Sequence, residues 1–182
     1  MKVLLDACVI YPTVMREMLL GAAGQGLFTP LWSDRILEEW ARAATKLGPE
    51  GAAQARLEVA RLRADWPGAT VVWKASLESR LWLPDAGDVH VLAAAIAGSA
   101  DVIVTVNAKD FPGQILAEEG LSRADPDAFL LGLYRASPAA VEAVALGVLA
   151  TARRLSQEDW TLRALLKKAR LPRLGKALMH LG

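Results

Sequence analysis

Two short apolar runs that end in polar residues limit the fold of this 182-residue chain more than any other feature. "KVLLDA" near the N-terminus closes on Asp6, and "DVIVTVN" closes on Thr105 and Asn107. Runs this short and this rich in aliphatic side chains read as strands covered on both faces. Between and after them the apolar spacing changes to a helical period. Strands alternating with helices predict an α/β fold with a parallel sheet between helical layers. In such sheets chemistry gathers beyond the carboxyl ends of the strands, which is where these polar residues stand.

The spacing of Val14, Met18, Leu19 and Ala22 predicts a helix over about 13–24, ended by Gly26. "SDRILEEWARAATKLG" is a second helix, with Ser33 as N-cap and Gly48 as stop. "PEGAAQARLEVARLRADWPG" is a third, terminated by Pro67 and Gly68. The β-branched "ATVVW" reads as another strand, followed by a loop with two acids and an Ala-rich helix over about 88–97. Beyond "LAEEGLSRADPD" no strand signal remains, and helices are expected over about 126–135, 138–155, 158–169 and 172–181. A boundary near Asp125 therefore separates an α/β domain, 1–125, from a small all-helical C-terminal region, 126–182.

Composition narrows the chemistry. The chain is 53% hydrophobic and 23% charged, which is globular, and no charge-free stretch is long enough to span a bilayer. Its first residues carry Asp6 within the apolar run and no small-residue cleavage site, so a cytoplasmic protein with no membrane partner is expected. One cysteine, Cys8, excludes an internal disulfide or a cysteine-based zinc site, and two distant histidines make no cluster. Any metal would be held by oxygen. Residues 1–150 carry 13 Lys and Arg against 18 Asp and Glu, and residues 151–182 carry 8 against 2. An acidic pocket in the body and a basic tail that meets an anionic partner fit this split, as does a merely solvated basic helix.

Four places bring acids to the same sheet edge: Asp6, the "LEEW" helix, Asp88 and "NAKD". Singly, each acid is more simply a helix cap. Together, clustered carboxylates repel, and a hard divalent cation such as Mg2+ or Mn2+ resolves the conflict. Such an ion supports phosphodiester hydrolysis. In the "SDRILEEWARAA" helix the core face is set by Ile36, Leu37, Trp40 and Ala44. Glu39 lies about 100° from its centre and Glu38 about 150°, so Glu39 is the site candidate and Glu38 faces water. Asp85 is placed behind the site, His90 is read as a packed helix histidine, and Lys109 as a phosphate contact or a solvated charge.

With these blocks in order, "VLLDACVIYP", "SDRILEEWARA" and "LPDAGDVHVLAAAIAGSADVIVTVNAKDFP", the sequence resembles the PIN-domain nucleases, in particular the VapC-type toxins of toxin–antitoxin pairs. The resemblance covers about residues 1–125, and the helical remainder is similar to an extension that some members carry. It implies a Rossmann-like fold, Mg2+- or Mn2+-dependent endoribonuclease activity on RNA, neutralisation by a small cognate antitoxin, and a homodimer. The family's acidic positions correspond to Asp6, Glu39, Asp88 and the "TVNAKD" block. Many members have an aspartate where this chain has Asn107, so Asn107 or Asp110 completes the metal site. Cys8 stands where an asparagine is common, which implies one hydrogen bond fewer near Asp6. Two rivals follow: a PIN-like module that binds RNA or a protein without cutting, and a phosphoacceptor domain using Asp6, Thr105 and Lys109. The latter lacks the second acid expected beside Asp6.

Overall fold

The computed structural model describes residues 1–181. Four strands, β1 (Lys2–Leu5), β2 (Thr29–Leu31), β3 (Val102–Val104) and β4 (Ser122–Ala124), form one parallel sheet in the order β2-β1-β3-β4. The two central strands are the two apolar runs. Val3, Leu4, Leu5, Ile103 and Val104 are all buried, as expected for strands covered on both faces. The register pairs Leu5 with Val104, so the residues that follow, Asp6 and Thr105, leave the sheet side by side.

The helices that flank this sheet are α1 (Ala7–Ile10), α3 (Asp34–Ala44), α4 (Gly48–Asp65), α5 (Ala75–Glu78), α6 (Val89–Ala97) and α7 (Gly113–Glu118). Ser33 caps α3, its hydroxyl accepting from the Ile36 amide at 3.2 Å, and Ile36, Leu37, Trp40 and Ala44 form the buried face. The first four residues of α6, Val89 to Leu92, are buried without interruption, which fits a helix covered on more than one side. These elements, with residues 1–11 and 29–124, form one compact unit. The second unit, residues 12–28 and the described residues from 125 on, has helices only: α2 (Thr13–Gly24), α8 (Pro126–Ala136), α9 (Pro138–Ser156), α10 (Leu162–Lys168) and α11 (Pro172–Ala177). Buried Asp127 of α8 accepts from the amides of Arg173 and Leu174 at 2.8 and 2.9 Å, capping the start of α11.

Three expectations change. The run at 69–73 is not a strand: Thr70 makes a single parallel bridge to Trp32, and Val72 is 82% exposed. A β-branched run becomes a strand only where a partner and a covering layer exist, and here the chain leaves the sheet after one bridge. Conversely, β2 ("TPL") and β4 ("SRA") carry no strand signal, being three residues each and at the sheet edges. Proline at 30 is tolerated there because an edge strand has one side without ladder bonds. The helix expected over 158–169 starts only at Leu162, where the Thr161 hydroxyl caps the Ala164 amide at 3.2 Å.

Candidate active site

Asp6 and Asp88 both occupy helix cap positions, at the starts of α1 and α6, yet neither side chain makes a capping hydrogen bond. The simple explanation for an acid at such a place therefore fails for these two. It holds for Asp85, whose carboxylate accepts from the Gly87 amide at 2.8 Å. Asp6 is buried at 4% exposure and its Oδ2 accepts from the Thr105 hydroxyl at 2.7 Å and from the Cys8 thiol at 3.0 Å. Thr105 Oγ1 in turn accepts from the Asn107 amide at 3.0 Å, and Cys8 Sγ from the Val106 amide at 3.4 Å. This chain of bonds fixes the rotamer of Asp6 from the neighbouring strand end.

Cys8 therefore corrects the expectation that its place near Asp6 costs a hydrogen bond: the thiol donates one, although a weak one. Burial, then the adjacent Asp6 charge, push this thiol up to about 12, so it stays protonated and a donor.

Asp88 reports the charge around it. Burial pushes its carboxyl up to about 6, helped by the negative charges of Asp6, Asp85 and Asp110 and opposed by His90. Asp88 thus lies in the field of Asp6, of Asp110 and of Asp85, the last expected behind the site. Asp110 and Asn107 share a turn in which the Asp110 amide donates to the Asn107 carbonyl at 3.0 Å. Glu39 sits differently. Its Oε1 lies 2.8 Å from Nε2 of fully buried His90 and 3.9 Å from Arg35 Nε. The contact with His90 is close but off the line of a hydrogen bond, and both ring nitrogens lack an aligned partner. Glu38, one residue back, is exposed and paired with Arg42 at 3.2 Å.

Thr105 is the residue of this cluster that the sequence points to least. A threonine ending a strand has no distinctive spacing, and its contact with Asp6 depends on β1 and β3 being neighbours in register.

The donor set has the chemistry of a hard-cation site: carboxylate oxygens whose mutual repulsion a divalent ion would relieve. Among the described residues no three of His, Cys, Asp and Glu stand close enough to hold an ion by themselves. Magnesium does not need such a cage, since it commonly takes one or two carboxylates and keeps several waters.

Residues 2–109 match the family model described as "PIN domain". A Mycobacterium tuberculosis protein named "Putative ribonuclease VapC50" is 44% identical over 61 residues, which cover 34% of this chain and 36% of that protein. The match thus spans about a third of the curated relative's length. No solved structure matches the chain significantly.

Proposed function

Because the chain belongs to the PIN-domain family, we propose that it is a Mg2+- or Mn2+-dependent endoribonuclease that hydrolyses RNA phosphodiester bonds, and that it is the toxin of a toxin–antitoxin pair. The observation that carries this reading is the pair Asp6 and Asp88, two helix-start carboxylates with no capping bond, held in a shared negative field. Asp6 and Asp88 hold the ion, Asp110 and Glu39 add charge or direct ligation, and the Asn107 amide stands in for the family's further carboxylate. A divalent ion held there would supply a water of lowered pKa and balance for the charge on the phosphate.

The chain's own residues do the rest. Thr105 and Cys8 hold Oδ2 of Asp6, which leaves Oδ1 as the oxygen for a ligand. Glu39 lies against His90 and Arg35. Exposed Lys109 offers a cation to a phosphate oxygen of the RNA. Residues 1–125 form the nuclease and 126–182 an extension, and a small antitoxin and a second copy of the chain are the proposed protein partners. Among the described residues no helix is long and apolar enough to cross a membrane.

Asn107 favours one alternative, a PIN-like module that binds RNA or a protein without cutting, because fewer carboxylates attract a cation less strongly. Purified protein freed of partners, incubated with labelled RNA in Mg2+, in Mn2+ and in EDTA, separates the two. Cleavage is expected with either ion and absent in EDTA, and absent in Asp6→Ala and Asp88→Ala proteins that still melt cooperatively. Intact RNA with wild-type protein in both ions would overturn the nuclease reading.

A further inference from the structure

Tryptophan is seldom left in water, because its indole is the largest apolar side chain a protein can bury. Trp82 is 66% exposed. The segment that carries it is nevertheless held down on both sides. Two residues earlier, the Arg80 guanidinium donates to both carboxylate oxygens of Glu119 at 2.8 and 3.0 Å. Directly after it, Leu83 is 2% exposed and belongs to the core. Trp82 and Leu83 are neighbours with opposite fates, the one exposed and the other in the core, so the two side chains face different surroundings. The ring projects from a fixed support.

That support leads straight into the acidic site. Asp85 follows Trp82 by three residues, a span of at most about 11 Å of extended chain. The Asp85 carbonyl accepts from the Asp88 amide at 3.1 Å, which ties this segment to the first turn of the helix that presents Asp88.

Without a bound cation, the acids Asp6, Asp85, Asp88 and Asp110 repel phosphates. Attraction between basic side chains and the phosphate backbone, the usual source of affinity for RNA, is weak there, with Lys109 the cation nearest in sequence. Stacking on an aromatic face does not depend on charge. Each stacked base contributes about 1–3 kcal/mol, whatever its identity. An unpaired base offers a free face, whereas a base within a duplex is already stacked on both sides. Because the support of Trp82 is ordered before binding, little further freedom is lost when a base settles on it.

We propose that Trp82 is a stacking platform for an unpaired base of the RNA next to the segment that leads into Asp85 and Asp88. The choice of RNA rests on the nuclease reading, but the contact is read by binding alone. Anisotropy of a short fluorescein-labelled oligouridylate in EDTA is measured with wild-type, Trp82→Phe and Trp82→Ala proteins, and with the same strand annealed to its complement. Loss of the stacked base weakens binding about 5- to 150-fold in Trp82→Ala. Trp82→Phe retains most of the affinity, and binding of the duplex does not change between the three proteins. In Mg2+, KM for the single strand rises in Trp82→Ala while kcat holds.

Equal single-strand affinity in wild type and Trp82→Ala overturns the proposal, as does a Phe variant as weak as the Ala variant. So does wild-type protein that binds no oligouridylate. A change in oligomeric size in Trp82→Ala assigns the ring to a contact between copies and overturns it too. Binding through Trp82 with no cleavage in Mg2+ or Mn2+ overturns the nuclease reading and leaves the stacking contact standing.

Discussion

Replacing Asp88 by asparagine keeps the shape of the side chain and removes the charge that its neighbours oppose, so it tests the acidic cluster as a store of strain. The Asp88 carboxyl rises from 3.8 to about 6 on folding, chiefly through burial and then through Asp6, Asp85 and Asp110. At about 1.4 kcal/mol per pH unit this corresponds to roughly 3 kcal/mol against the ionised form. Asp88 is partly open to water, which screens the repulsion, so roughly half of that, about 1–2 kcal/mol, is the expected effect. A raised folded-state pKa means that the unfolded chain ionises more readily. The cost is absent below the unfolded value of 3.8, grows as pH rises toward about 6, and is complete above it. Urea unfolding in EDTA at neutral pH should therefore show Asp88→Asn more stable than wild type by about 1–2 kcal/mol, with the gain vanishing near pH 4. Adding Mg2+ reverses the order, because an ion that binds the folded wild type stabilises it by mass action and the variant binds it less tightly. A variant that is no more stable than wild type at neutral pH in EDTA would refute the strain placed on the ionised Asp88 carboxyl.

Glu39→Gln lowers kcat/KM for RNA and Glu38→Gln leaves it unchanged; equal effects in the cleavage assay would reject the choice between the two glutamates. Cys8, with its thiol pushed up to about 12, carries about a thousandfold less thiolate than at its ordinary value of 9.0. Alkylation by iodoacetamide at mildly alkaline pH is thus at least about a hundredfold slower in folded than in urea-unfolded protein, and similar rates would contradict the buried, hydrogen-bonded thiol. Asp127→Ala strands two amides at the start of α11 and costs about 2 kcal/mol in urea unfolding. A loss under about 0.5 kcal/mol would show that water replaces the carboxylate at no cost.

Local physics alone determined much of this protein. The unbroken apolar runs became the two central strands because nothing but a doubly covered position suits them. The stretch Thr13–Gly24 is helical over the expected residues, and Ser33 caps α3 as its side chain and spacing require. The acids at the strand and helix ends were visible for the same reason: strand and helix signals mark where an element stops, and each acid sits at such a stop. The edge strands were not legible, since three residues such as Ser122–Ala124 become a strand only when Val102–Val104 supplies the ladder. The opposite error at 69–73 has the same source, a strand-forming run that the fold leaves after one bridge. Only tertiary structure decided which side chains hold Asp6 and which charges reach Asp88. Residues 6 and 105 are 99 positions apart along the chain, and their hydrogen bond exists because β1 and β3 pair in one register. A sequence records the donors and acceptors one by one; the distances that turn them into a site are set by strand order.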